Sequence, residues 1–210
     1  MNVLVTAGPT REHFDDVWFL SNPSSGRMGY AVAEVFAEAG HRVTLVSGPT
    51  ALTAPQGVAL VAVTSTRELL EAVTQHIEGT DVVIMAAAPV DYRPVRRLPG
   101  KMKKTADNMV MELVRNPDIL QEIGQRKGGR IHVGFALEAT DARQHALDKL
   151  KAKNLDFIVA NSPASFAADR TSVDIIGRDG SVQTLTDVTK HELARRLLRI
   201  VTQTAGSRKP

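Results

Sequence analysis

Three sets of small, polar and cationic residues in this chain suit the handling of phosphate esters. Residues 6–12 read TAGPTRE and include Gly8; residues 21–29 read SNPSSGRMG and run into an amphipathic stretch. Free backbone N–H groups and hydroxyls ahead of a helix form an anion site, which Ser24, Ser25 and Gly26 can supply. The same serines can simply cap that helix, and the spacing leaves both readings open. Residues 86–94 read AAAPVDYRP. Ala86, Ala87 and Ala88 let a ligand approach the backbone, while Asp91 suits a ribose hydroxyl, a metal ion or an ordinary turn. Lys101 opens the run KMKK, either a solvated patch or a cover for phosphates. Residues 134–138 read GFALE, and Phe135 is open between core packing and a platform for a base. Lys149 and Lys153, four apart, share one helix face, a like-charge spacing that an anionic ligand would relieve.

Positioning these groups requires strands that end where the loops begin. Short β-branched runs alternate with amphipathic stretches, predicting a three-layer α/β, Rossmann-like domain with a mostly parallel sheet. Strands are expected at 2–6, 42–47, 59–63, 81–86, 131–136 and 157–161. Helices are expected at 28–39, 67–77, 117–126 with Pro117 in its first turn, 142–153 and 189–201. Residues 87–108 read as a long irregular segment, and 87–104 as a mobile, positively charged lid. A late antiparallel hairpin, 173–176 and 182–185, turns on Asp179-Gly180. One domain is expected over 1–201, with a flexible tail at 202–210.

The bulk properties exclude several classes. There is no cysteine among the 210 residues, so disulfides, thiolate catalysis and cysteine-held metals are absent. The six histidines show no metal-ligand spacing, so no protein metal site is expected. A formal charge of +3 fits small anions rather than nucleic acid. No run approaches the ~20 apolar residues of a membrane helix, and no signal peptide opens the chain, so a cytoplasmic protein is expected.

Taken in order, TAGPTRE, SNPSSGRMG, AAAPVDYRP, KMKK, NPDIL, GFALE and KLKAKNLDFIVAN span residues 6–161, about three quarters of the chain. This series resembles the phosphopantothenoylcysteine synthetase (phosphopantothenate–cysteine ligase) family, whose members stand alone or are fused to a flavin decarboxylase. The free-standing form is expected here, without flavin. The resemblance implies an enzyme that activates 4′-phosphopantothenate with CTP or ATP and passes the acyl nucleotide to cysteine. It implies catalytic roles for Asn22, at the oxyanion, and Lys101, at the phosphates. It implies nucleotide contacts at Ala86, Ala87, Ala88, Asp91, Pro117, Asp118, Ile119, Leu120, Phe135, Lys149 and Lys153. Mg²⁺ carried by the triphosphate and a homodimer that completes the site are implied too. Trp18 departs from the family pattern, which has Arg four residues before the Asn. A non-catalytic nucleotide-binding relative is the alternative; an NAD(P)-dependent oxidoreductase is disfavoured, since GxGxxG and YxxxK are lacking.

Overall fold

The computed structural model describes residues 1–103, 108–137, 142–161 and 169–208. Lys104, Glu138 and the last two residues of the expected tail lie outside the described residues. One eight-stranded sheet organises the chain. Its strands are β1 (Asn2–Ala7), β4 (Arg42–Ser47), β5 (Val58–Ala62), β6 (Val82–Met85), β9 (Ile131–Leu137), β10 (Phe157–Asn161), β11 (Arg170–Gly177) and β12 (Val182–Thr189). The spatial order is β12-β11-β10-β9-β6-β1-β4-β5. The pairings from β5 through β10 are parallel, whereas β11 and β12 are antiparallel.

Both faces of the central strands are buried, which is why their sequences read as near-continuous apolar runs. Along β1, Val3, Val5 and Ala7 face one layer with helices α1 (Arg27–Glu38) and α5 (Lys190–Ser207). Leu4 faces the opposite layer, with α2 (Thr66–His76) and α3 (Ile119–Gln125). Helix α4 (Ala142–Ala152) covers β9 and β10 on that second side through Ala146 and Leu150. Phe36 on α1 is fully buried. Its truncation to Ala would cost about 3–5 kcal/mol. Helix α1 lies directly on β1: a Cβ at Gly29 would stand 2.5 Å from that of Ala7 and 2.6 Å from the Thr6 carbonyl.

Several sequence expectations need correction. Helix α1 is capped by Gly26, at φ 78°, and no side chain bonds its first turn, so neither Ser24 nor Ser25 caps it. Pro117 lies outside α3; Asp118 is the N-cap and accepts the Gln121 N–H. The segment 87–108 is not irregular throughout, because β7 (Tyr92–Pro94) pairs with β8 (Leu113–Arg115). A second small hairpin, β2 (Glu12–His13) with β3 (Phe19–Leu20), packs against it. Nor does the tail begin at 202. Helix α5 continues to Ser207, because Arg208 bonds the buried Asp156 carboxylate at 2.5 Å and so holds the last turn down.

Candidate active site

Among the parallel strands the order reverses between β1 and β6, and ligands of open α/β sheets bind at such a point, beyond the strands' carboxyl ends. Two adjoining cavities occupy that position. The larger, about 450 Å³, is lined by Asn22, Ser24, Ser25, Gly26, Arg27, Ala86, Ala87, Ala88, Asp91, Phe135 and Lys149, with Asn161, Thr171 and Lys190. The smaller, about 170 Å³, is lined by Ala87, Asp91, Asn116, Pro117, Asp118, Ile119, Leu120, Phe135 and Lys153. Ala87, Pro89, Asp91 and Phe135 belong to both, so the two form one elongated site.

The loop after β1 braces this site from behind. The Gly8 carbonyl accepts the Ala88 N–H at 2.9 Å, and the Thr6 hydroxyl accepts that of Ala87 at 3.1 Å. Thr10 Oγ1 accepts the Val90 N–H at 2.9 Å, while buried Glu12 accepts the N–H of Thr66 at 2.8 Å. These bonds fix residues 87–90, which shape the wall. Gly8 itself lines neither cavity. A Cβ on Gly26 would lie 3.3 Å from the Gly8 Cα and 2.7 Å from Thr50 Cγ2. Space, as well as positive φ, therefore requires glycine there.

Asn22 is held by both ends of its amide. Its Nδ2 donates to the Ala88 carbonyl at 2.7 Å, and its Oδ1 accepts the Ser24 N–H at 3.1 Å. One N–H of the amide remains for a ligand. Ser24 and Ser25 hydroxyls make no hydrogen bond among the described residues, and the start of α1, which no side chain caps, stands beside them. Together they form a positively polarised cradle with open donors. Asp91 makes no side-chain hydrogen bond among the described residues, which leaves its carboxylate available to a ligand. Phe135 is half-buried, packed on the core and yet lining both cavities. Lys153 is paired with Asp118 at 2.9 Å, and a Cβ at Gly124 would lie 2.4 Å from the Lys153 carbonyl. That closeness of α3 to the end of α4 brings the lysine to the site.

Lys101, like Gly8, lines neither cavity of its own chain, and it is exposed. Its neighbours are tied elsewhere. The Gly100 N–H donates to Asp16 Oδ2 and the Met102 N–H to Asp15 Oδ2, each at 2.9 Å. The N–H groups of Trp18, at 2.6 Å, and Val17, at 2.7 Å, donate to Asp15 Oδ1. These bonds, Trp18 and Met102 foremost, hold the Asp15 carboxyl below the usual carboxylate range. Together with β7, they tether 87–102 as a strap to the β2–β3 hairpin and β8.

Several lining residues escape sequence reasoning. Asn161 ends β10 and Thr171 lies on β11, and only the order of strands places them here. Lys190 reads as a solvated helix position. Asn161 alone carried a usable signal, as a polar residue at the carboxyl end of a buried strand.

This geometry defines one elongated candidate site at the carboxyl end of a doubly wound α/β sheet. Residues 1–204 match the family model described as the DNA/pantothenate metabolism flavoprotein C-terminal domain, and the chain belongs to that family. It is 43% identical over 203 residues to the coenzyme A biosynthesis bifunctional protein CoaBC of Bacillus subtilis (strain 168), covering 94% of this chain and 50% of that protein. The chain thus spans about half the length of that curated relative. A crystal structure of the C-terminal domain of CoaBC superposes with a TM-score of 0.86 at 43% identity, over 98% of this chain and 96% of that one. A Cab2 variant in complex with phosphopantothenate-cysteine shares the fold, with a TM-score of 0.80 at 16% identity over 99% and 89% of the two chains.

Proposed function

We propose that this protein is a phosphopantothenate–cysteine ligase of coenzyme A biosynthesis, acting in the cytoplasm and using CTP or ATP. The observation that carries the reading is the joint placement of Asn22, the open start of α1, Asp91, Phe135 and Lys149 on one cavity at the strand-order reversal. Kinship with CoaBC supports it.

In the first half-reaction the acid's carboxylate oxygen attacks the α-phosphorus, and the bond to pyrophosphate breaks. The donors of Ser24, Ser25 and the α1 start bind the phosphate oxygens, with Lys149 on the same cavity. The base stacks against Phe135 towards the smaller cavity, beside Pro117–Leu120 and Lys153. In the second half-reaction the cysteine nitrogen attacks the acyl carbon, loses a proton, and the nucleoside monophosphate leaves. The uncommitted N–H of Asn22 donates to the oxyanion that develops on that carbon. Mg²⁺ accompanies the triphosphate in this reading, neutralising phosphate charge. Asp91, with its unengaged carboxylate, fits the one-carboxylate-plus-phosphate ligation that Mg²⁺ favours.

A homodimer completes the reading. Val17, Trp18, Phe19, Tyr92, Val95 and Leu113 are exposed on the two adjoining hairpins, an apolar surface suited to a two-fold partner. Because Lys101 lies outside its own chain's cavities, it serves the neighbouring protomer's phosphates. The test is pyrophosphate release with CTP and with ATP, each with and without 4′-phosphopantothenate and cysteine. Acid-dependent pyrophosphate and a cysteine adduct by mass are the expected result. Triphosphate binding with no acid-dependent turnover would leave only the non-catalytic alternative.

A further inference from the structure

Lys190 is the first residue of α5 and is half-buried. It lines the 450 Å³ cavity and also a separate hollow of about 360 Å³ formed with Tyr30, Glu34 and Leu52; Arg27 alone shares both walls with it. Among the described residues, the carboxylates of the neighbouring hollow and of the first turn of α5 are already engaged. Glu192 closes a capping box with Thr189, accepting its N–H at 2.6 Å. Glu34 is 2.7 Å from His191 Nε2, and Asp169 is 2.5 Å from Arg27. Among the described residues Lys190 therefore has neither an ion pair nor a hydrogen bond.

A half-desolvated cation without a counter-ion is unfavourable, and the cost is removed when an anion arrives. Burial foremost, and then Arg27, hold the Lys190 ammonium below the usual lysine range, while Asp169 opposes them. The cavity it faces also presents Ser24, Ser25 and the open start of α1, so polarised donors and an ammonium converge on one space. The smaller cavity, where Phe135 meets Pro117–Leu120, is not lined by Lys190.

We propose that Lys190 is a specificity-determining residue that binds the phosphate chain of the nucleotide, making the site select triphosphates over monophosphates. The inference rests on the nucleotide-dependent reading above and adds a residue outside the family-like motifs. Calorimetry with CTP, ATP, CMP and inorganic tripolyphosphate tests it on wild type, Lys190→Gln and Lys190→Arg, with thermal melts to confirm folding. Lys190→Gln should weaken CTP, ATP and tripolyphosphate about 10- to 100-fold, the effect expected for one charged hydrogen bond, and change CMP little. Lys190→Arg should restore most of the affinity. Equal CTP binding by wild type and Lys190→Gln overturns the Lys190 role and leaves the ligase reading standing. Equal losses for CMP and CTP overturn it as well, by showing a structural effect. If wild type binds no triphosphate, the nucleotide-dependent reading falls and this inference with it. Should Lys190→Gln not fold, Lys190→Met, which keeps the aliphatic stem, carries the same comparison.

Discussion

His132 lies on β9 with no exposed surface, and neither ring nitrogen has a hydrogen-bond partner among the described residues. Burial foremost, then the nearby Lys127 ammonium, pull its pKa from 6.5 to about 4, against the opposing pull of Asp156. The unfolded chain therefore takes up a proton near pH 6.5 that the native protein refuses until about pH 4. Stability is complete above that window and falls as the pH drops through it. For the printed values the loss at about pH 5 comes to about 2 kcal/mol. At this chain length that lowers Tm by about 4–8 °C. Melting wild type and His132→Met between about pH 8 and pH 5 isolates the contribution, since other groups titrate in both. Removing an unpaired buried imidazole should leave stability at pH 8 unchanged or higher, with a shallower acid slope. Parallel Tm-against-pH curves for the two proteins would refute the argument, because the imidazole would then not carry the acid sensitivity.

Asn22→Asp removes the donor to the Ala88 carbonyl and, in the proposed reaction, to the oxyanion. It should slow amide formation about 100- to 1000-fold while pyrophosphate is still released, so the acyl nucleotide accumulates in quenched samples read by mass. Lost pyrophosphate release in a folded variant would place Asn22 at the earlier step. Asp15→Ala frees the Met102 N–H beside Lys101, while Gly100 stays tied to Asp16, and turnover should fall while CTP binding to the isolated chain is retained; unchanged turnover argues against a role for the strap. Arg208→Ala leaves Asp156 with one fewer partner and should destabilise the fold by about 1–3 kcal/mol in urea titrations. No change there would mean that the last turn of α5 is held by Ala205 packing alone.

The strands of the parallel sheet were legible because burial on both faces leaves uninterrupted β-branched runs; 157–161 matches β10 residue for residue. The two hairpins were not, since β2 and β3 are two residues each and β7 pairs with β8 across a long intervening segment. Periodicity cannot register such short elements. The end of α5 was missed for a different reason: the tie from Arg208 to Asp156 joins residues 52 apart. At the site, Asp91 stood out as a loop residue after a strand and Phe135 as an aromatic at a strand end, while Asn22 was reached only through the family resemblance. Lys190 did not, because a lysine opening a helix looks solvated until strand order brings the cavity to it. Ser24 and Ser25 illustrate a tie between two local readings that only the Gly26 cap resolves in favour of open hydroxyls.

The Arg208 tie has a topological implication. Met1, Asp81, Arg130, Ala205 and Arg208 line a single hollow at the end of the sheet opposite the candidate site. The described ends of the chain are thus neighbours, so a short glycine–serine bridge can close the backbone into a ring. The ring can be reopened in the exposed turn at Arg178–Gly180, between β11 and β12, without cutting any strand of the parallel sheet. A reporter or surface tether joined at Met1 likewise hangs from the far end of the molecule and leaves the mouth of the cavity clear.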